Sequence, residues 1–317
     1  MMSERRRFHI VFNERSGTAL GLGLTAEKLR ESLEAKGFEV SMDHEADLPL
    51  ATKVERALAS DADFIVCAGG DGTVTALSAA LVGTGKTLAI LPLGTANLLA
   101  RDLGLPLDLE GAVTALSDLQ PKLVDVGVVN GKVFLHNVSI GFIPAVAVAR
   151  EQIRGRTDIG AFIGFGRYFI RRLARSRQMA VAITSRDTND RVERLHAIAV
   201  SNNAYDEGFG RVFSRKTLDA GHLTLYTLKR FRFRDFVRLS AEMLAGRWRE
   251  DAALAIEHVR SVEIRSKKQS IAVMIDGEVE MMESPLRFAI KPLALSVLAP
   301  VPTLEVTDEP EAVALVG

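Results

Sequence analysis

Phe64-Ile65-Val66-Cys67-Ala68-Gly69-Gly70-Asp71-Gly72-Thr73 is the stretch on which the fold turns. Five apolar residues run together from 64 to 68 and end on glycine. Such a run reads as a strand buried on both faces, the kind found inside a parallel sheet. Helical spacing follows at 74–81. Glycines at a strand's carboxyl end let the backbone approach a ligand closely. The N–H groups of the following helix then face an anion, usually phosphate. In open α/β sheets this edge is where ligands bind. A plain tight turn needs only one or two glycines and has no use for an Asp and a Thr among them. Phosphate binding is therefore the stronger reading of Gly69, Gly70, Asp71, Gly72 and Thr73.

The same arrangement recurs on both sides. Pro92-Leu93-Gly94-Thr95-Ala96-Asn97 follows a strand at 88–91, and Asn13-Glu14-Arg15-Ser16-Gly17 follows a strand at 9–13. One such turn is weak, whereas three after three parallel strands are expected to converge on one crevice. Between them the spacing predicts helices over 25–36 and 50–59 and a strand over 38–42, with Leu29 and Leu33 four apart. Strand–helix alternation of this kind implies a doubly wound α/β layer. Gly83-Thr84-Gly85-Lys86-Thr87 imitates the end of a Walker A loop. The position five before Gly85 is Ala80 rather than glycine, however, and the segment precedes a strand instead of following one, so it reads as a connector.

Near Asp125 the pattern changes to strands, over 133–139, 180–184, 196–201, 223–228, 259–265, 271–275 and 286–290, with helical insertions over 159–176 and 233–247. That is a second domain of antiparallel β-structure. The tail beyond Pro300 is acidic and aperiodic.

Composition narrows the function classes. The 317 residues carry 40 basic and 40 acidic side chains and are 47% apolar, which excludes a disordered chain and a uniformly polybasic nucleic-acid binder. A single cysteine excludes a disulfide framework and a Cys-rich zinc module. Buried inside an apolar strand, Cys67 reads as inert. Six histidines, at 9, 44, 136, 196, 222 and 258, show no metal-ligand spacing. No run approaches the ~18 apolar residues of a membrane span. No apolar signal core follows the basic residues 1–7, so a cytoplasmic location is the expectation. The neutral average hides net charges of −6 over 1–128, +11 over 129–250 and −5 over 251–317. A basic middle of this kind points to an anionic partner.

The turns at 69–73 and 94–97, the latter running into Ala100-Arg101, together with Ile275-Asp276-Gly277-Glu278, resemble the diacylglycerol kinase catalytic-domain family. The likeness is nearest to the soluble bacterial lipid kinases, which are related to sphingosine and ceramide kinases, and it extends over about residues 8–300. The resemblance implies an α/β plus β architecture: a doubly wound α/β ATP-binding domain over 1–128, rejoined by about 293–303, a β-sandwich lipid-substrate domain with helical insertions over 129–292, and an acidic tail over 304–317. It implies ATP and magnesium, a lipid hydroxyl as acceptor, and an active site in the cleft between the domains. By position, Asn13, Ser16 and Gly17 match the first nucleotide turn, Gly70 to Thr73 the second, and Thr95 and Asn97 the third. Asp71 matches a residue that organises magnesium through water. Asp125 matches an acidic position that supports the site, and Glu278 matches the general base.

There are departures. Glu14 stands where the family commonly has Pro, and Leu98 where many members have an Asp that helps hold magnesium. Ala220-Gly221-His222 replaces Asp-Gly-Leu, which removes an Asp from an accessory cation site. After the second strand, His44 or Glu45 stands near the point where the family often has a Thr close to the nucleotide.

Phosphoryl transfer needs positioning and charge neutralisation more than covalent chemistry. Magnesium takes one or two carboxylates plus waters and phosphate oxygens, for which Asp71 and Asp125 are the candidates. The acceptor hydroxyl must lose a proton, and Glu278 could take it. Asp276-Gly277 also reads as a type I′ hairpin turn, and a hairpin can aim Glu278 into a cleft.

Residues 150–177 hold eight arginines against Glu151 and Asp158, with Ile159, Phe162, Ile163, Phe169, Ile170 and Leu173 at helical spacing. Residues 229–238 mix Phe231, Phe233 and Phe236 with five basic side chains. Both suit a peripheral position on an anionic membrane surface, at the inner face of the cytoplasmic membrane. A helix showing arginines to water is the alternative.

The expectation is an ATP- and magnesium-dependent lipid kinase that moves the γ-phosphate of ATP to a lipid hydroxyl. Diacylglycerol is the first acceptor, and a sphingoid base or ceramide the second. NAD kinase shares the Gly-Gly-Asp-Gly turn but not the other two motifs. In a different class, Leu98 and Ala220 would mark a weakened lipid- or nucleotide-binding regulator. No nucleic-acid partner is expected, and a homodimer is compatible with the same reading.

Overall fold

A computed structural model of the chain describes residues 6–14, 16–43, 48–144, 164, 167–168, 170–171, 177–185, 187, 190–209, 214–229 and 232–301. The expected helix over 159–176 and the tail beyond 301 fall almost wholly outside them, as do His44, Glu45 and Phe231.

The first part alternates strands and helices in chain order. It runs β1 (Arg7–Phe12), α1 (Gly17–Leu22), α2 (Ala26–Glu34), β2 (Glu39–Met42), α3 (Leu50–Ala59), β3 (Phe64–Gly69), α4 (Asp71–Leu81), β4 (Thr87–Pro92), α5 (Leu98–Asp102) and α6 (Leu109–Ala115). The strands lie parallel in the order β2-β1-β3-β4. This is the doubly wound layer the alternation implies, with Ile65 to Ala68 of β3 fully buried. Leu77 and Leu81 of α4 and Leu29 and Leu33 of α2 pack on the same core. Each such buried side chain contributes roughly 1.5–3 kcal/mol. Thr25 begins α2 by accepting the N–H of Lys28 at 3.3 Å, a cap of the ordinary kind.

The second part is antiparallel. It comprises β5 (Gln120–Val129), β6 (Lys132–Phe134), β7 (Asn137–Gly141), β8 (Met179–Ser185), β9 (Arg191–Leu195), β10 (Ala197–Asn202), β11 (Leu223–Leu228), α7 (Phe233–Ala245), β12 (Leu254–Val259), β13 (Ser261–Ser266), β14 (Ser270–Ile275), β15 (Glu278–Glu283) and β16 (Leu286–Ala299). One sheet runs β12-β11-β10-β7-β14-β15. Val138, Ile140, Val200, Leu225 and Val273 of that sheet face Phe134, Ile183, Ile264 and Phe288 of the other across a common core. The architecture is therefore α/β followed by a β-sandwich, as expected. β16 belongs to both parts. Its start pairs antiparallel with β13, and Ser296 and Val297 pair parallel with Thr87 and Leu88 of β4.

Two expected strands are divided. The run 133–139 breaks at Leu135 and His136, whose N–H groups leave the ladder for the Asp276 carboxylate. The run 259–265 breaks at Arg260, so β12 lies in one sheet and β13 in the other.

A buried polar cluster joins the two parts. Arg215 has a fully buried side chain and donates to Asp102 Oδ2 through Nε at 2.9 Å and Nη2 at 2.6 Å. Its Nη1 donates to the carbonyls of Leu135 and Asn202, and its Nη2 meets Nδ1 of His136 at 2.7 Å. Burial, with Arg215 beside it, holds the His136 imidazole well below its ordinary pKa. The unfolded chain takes up that proton below about pH 6.5 while the folded protein does not. Stability should therefore fall as pH drops through that range, by up to about 1.4 kcal/mol per pH unit. Thermal melts of wild type and His136→Gln between about pH 7 and pH 5 check this. The variant should lose less stability on acidification, and equal slopes would count against the assignment.

Candidate active site

The site is built from three strand ends. β3 ends at Gly69, and Gly70 opens α4 without a side-chain cap; the Thr73 and Val74 N–H groups donate to its carbonyl, and no side chain caps those before them. The backbones of Gly70 and Gly94 press together. A Cβ on Gly94 would lie 2.7 Å from the Gly70 Cα and 2.8 Å from Asn97 Oδ1. Only glycine permits this approach, which explains why two of the turns carry it. Asn97, in the left-handed region at φ 49°, clasps Gly94: its Oδ1 accepts from the Gly94 N–H at 2.8 Å and its Nδ2 donates to the Gly94 carbonyl at 2.9 Å.

Side chains tie the turns to each other. The Asp71 carboxylate accepts the N–H groups of Asn97 at 3.0 Å and Leu98 at 2.7 Å, so the second turn caps the helix that follows the third. Asn13 Nδ2 donates to Thr73 Oγ1 at 3.2 Å, joining the first turn to the second. Thr18 Oγ1 lies 3.4 Å from the Gly94 carbonyl, joining the first to the third. Ser16 is buried and caps α1 by accepting the Ala19 N–H, and Gly17 starts that helix. Thr95 is exposed at the rim. The structure thus brings together Asn13, Ser16, Gly17, Gly69, Gly70, Asp71, Gly72, Thr73, Gly94, Thr95 and Asn97.

Glu278 reaches this group from the sandwich. β14 and β15 are joined by a two-residue turn in which Ile275 faces Glu278. Asp276 and Gly277 both have positive φ, 46° and 98°, the sign a type I′ turn requires. The Asp-Gly pair of the triplet is therefore a hairpin turn, and Glu278 opens the strand that follows it. At the turn the Glu278 side chain lies against the first turn of α4, with Oε1 3.2 Å from where a Gly72 Cβ would be. The cleft here has a volume of about 250 Å³ and is lined by Gly72, Thr75, Ala76, Lys132, Asp276 and Glu278 among others. Lys132 is ion-paired to Glu280 within it.

Asp276 holds the hairpin in place. Its Oδ2 accepts the Leu135 N–H at 2.7 Å, and its Oδ1 accepts those of His136 at 2.9 Å and Asn137 at 3.0 Å. The Thr75 hydroxyl of α4 lies 3.4 Å from Oδ2. Burial pushes the Asp276 carboxyl above its ordinary pKa, against the pull of those three N–H donors. In the sequence Asp276 reads only as a turn former. Nothing local marks it as a brace, because its partners lie about 140 positions away in the chain.

Asp125 is placed differently from Asp71. It is 1% exposed. Its Oδ2 accepts the Gly221 N–H at 2.6 Å and its Oδ1 the Leu293 N–H at 2.9 Å. It ties the segment before β11 to the bend in β16, where the register shifts between Lys291 and Leu295. In this position it braces the fold, and like Asp71 it accepts one N–H on each oxygen, but it is buried where Asp71 is partly open. Among the described residues no group of three or more His, Cys, Asp or Glu side chains could hold a metal ion. Ala220 donates its N–H to Asn203 Oδ1 at 3.0 Å and contributes no carboxylate. Magnesium does not require a cage made wholly of protein, since it keeps waters and takes phosphate oxygens. Asp71 fits that pattern. Each of its oxygens accepts one N–H and has a lone pair left for a metal-bound water.

Residues 7–129 match the family model described as the diacylglycerol kinase catalytic domain, and residues 136–299 match the YegS C-terminal NAD kinase beta sandwich-like domain. The chain is 30% identical over 304 residues to a "Probable lipid kinase YegS-like" of Pseudomonas syringae pv. tomato, covering 94% of this chain and 95% of that one. It is 27% identical over 283 residues to a "Diacylglycerol kinase" of Staphylococcus haemolyticus, covering 86% and 82%. Its fold is similar to that of a diacylglycerol kinase from Bacillus anthracis, with a TM-score of 0.69 at 24% identity over 93% of this chain and 97% of the other. It is also similar, at a TM-score of 0.51, 14% identity and 92% of each chain, to an NAD kinase from Archaeoglobus fulgidus solved in complex with ATP.

Proposed function

The chain belongs to the diacylglycerol kinase catalytic-domain family and is a lipid kinase, and from that premise we propose that it transfers the γ-phosphate of ATP to the free hydroxyl of diacylglycerol, with magnesium as the cation. The observation that carries this reading is the placement of Glu278 against Gly72, where a carboxylate from the sandwich meets the glycine turns of the α/β layer. The domain division follows the same logic. Residues 1–128, rejoined by 293–303, hold the nucleotide, and 129–292 hold the lipid.

The roles follow from the contacts. The N–H groups at the start of α4 and the glycine backbones at 70 and 94 cradle the phosphates. Asn13, Thr73, Asp71 and Asn97 hold the three turns in register. Magnesium, when bound, would neutralise phosphate charge, with Asp71 as its carboxylate partner through water and Asp125 as a remote brace. Glu278 accepts the proton of the lipid hydroxyl as that oxygen attacks, and Asp276 keeps the Glu278 hairpin seated. Among the described residues no helix is long and apolar enough to cross a membrane. A lipid acceptor then calls for peripheral contact with the bilayer, at its cytoplasmic face.

Gly94→Ala tests the cradle. The added methyl meets backbone on one side and the Asn97 clasp on the other, an overpacking of about 1–3 kcal/mol. If that strain falls on the nucleotide turn, the KM for ATP should rise about 5- to 100-fold with the thermal midpoint little changed. An unchanged KM would remove Gly94 from the site. The acceptor itself is tested with a panel of diacylglycerol, ceramide, sphingosine and NAD under saturating ATP. Turnover should be greatest on diacylglycerol. Preferential phosphorylation of NAD would overturn the lipid assignment, and preference for ceramide or sphingosine would replace diacylglycerol.

A further inference from the structure

Helix α7 has two apolar faces, and the sandwich covers one of them. Phe236 and Leu239 pack with Ala253, Phe142 and Leu228. Leu239 and Met243 pack with Tyr205, Tyr226 and Trp248 on the outer face of the six-stranded sheet. Phe233, Val237 and Leu244 fall on another stripe of the helix, at i, i+4 and i+11. They are 47%, 50% and 60% exposed. Single exposed apolar residues are normal on a soluble protein, but these three line up.

The line continues past the helix. Gly246 caps α7 in the left-handed region at φ 73°, and its Cα faces the backbone of Gly208 and Phe209 so closely that a Cβ would collide with both. Phe209, 89% exposed, therefore stands beside the carboxyl end of the helix. At 13 residues the helix is roughly 20 Å long. Its carboxyl end is the end nearer the cleft. Trp248 packs against Tyr226, beside Tyr205, and the Tyr205 hydroxyl accepts from Asn137, whose own N–H is held by Asp276.

Positive charge flanks the ridge. Residues 229–249 hold seven basic side chains against two acidic ones, and of these Lys229 is paired with Glu193 and Arg238 with Asp251. Lys229, Arg232, Arg234 and Arg238 line a pocket of about 400 Å³ with Asp235 at the amino end of α7. The Arg234 side chain is 80% exposed. A water-facing helix has no use for a Phe-Val-Leu stripe. A protein partner would be met by an apolar patch without this excess of one sign. An apolar ridge edged with arginine complements an anionic bilayer.

We propose that Phe209, Phe233, Val237 and Leu244 form the surface by which the enzyme sits on anionic membrane, with Arg232 and Arg234 meeting lipid phosphates. Seating the ridge brings the cleft-proximal end of α7 to the headgroup layer, where a lipid hydroxyl becomes available. This surface rests on the lipid-kinase reading above.

The test is vesicle flotation of the full chain on phosphatidylcholine with and without phosphatidylserine. A separate readout is phosphorylation of a dispersed short-chain diacylglycerol. Phe209→Ser/Val237→Ser/Leu244→Ser should bind vesicles at least ~30-fold more weakly and retain wild-type turnover on the dispersed acceptor. Arg234→Gln should lose about fivefold, on the anionic vesicles alone. The inference is overturned if the triple variant floats like wild type, or if its only change is in oligomeric state, which would assign the ridge to a second copy. If wild type floats, the triple variant does not, and neither phosphorylates any dispersed lipid, the surface stands and the acceptor reading falls.

Discussion

Glu278→Gln is expected to lower lipid phosphorylation at saturating ATP by about 10²–10⁴-fold, the range a positioned general base supplies. The amide keeps the size and shape of the carboxylate, so the contact with Gly72 and the hairpin turn should survive. What it loses is the capacity to take the acceptor proton. On the proposed reading ATP is held by the turns of the α/β layer and its binding should be unchanged, so the effect belongs in kcat and not in the KM for ATP. Steady-state kinetics with ATP and acceptor varied separately will read this split. Turnover within a fewfold of wild type would remove Glu278 from the proton transfer. A loss confined to the KM for ATP would move it to the nucleotide side.

Asp276→Ala is expected to act on stability and turnover together. The carboxylate satisfies three consecutive backbone N–H groups in a buried position, and each buried donor left without a partner costs about 1–3 kcal/mol. Alanine at φ 46° adds strain. Partial relaxation should leave a net loss of roughly 3–5 kcal/mol, visible as a large drop in the denaturation midpoint. Because the same residue seats the turn before Glu278, turnover of the folded fraction should fall as well. Asp276→Asn separates the two effects. Asparagine tolerates the left-handed region and keeps one acceptor oxygen, so the turn should persist with a smaller loss. If Ala and Asn prove equally mild, the brace is not what holds the hairpin.

The parts of this protein that were legible in its sequence are those whose causes are local. The buried strand 64–68 and the glycines after it carry their own explanation, and the structure places three such turns side by side. The Asp-Gly turn at 276–277 is likewise set by two adjacent residues. Where a distant group decides, the pattern misleads. The alternation over 133–139 reads as one strand, yet a carboxylate at 276 takes its N–H groups and divides it. Arg215 looks like an ordinary surface arginine and is buried, because Asp102, two carbonyls and His136 satisfy its guanidinium. Asp125 reads in the sequence as a carboxylate of the site, and its second task, accepting the N–H groups of Gly221 and Leu293, is set by residues about 96 and 168 positions away. Phe236 and Phe233 look equivalent in composition, and three positions of helical rotation pack one, partly buried, against Ala253 and leave the other about half exposed.

The central claim is that this chain moves phosphate from ATP to a lipid. Incubation of the purified protein with γ-labelled ATP, magnesium and a total membrane lipid extract, followed by separation of the lipids, tests it most directly. Label should appear in phosphatidate, depend on magnesium, and disappear with Glu278→Gln. Label found in no lipid under these conditions, or lipid labelling undiminished in Glu278→Gln, would contradict the account.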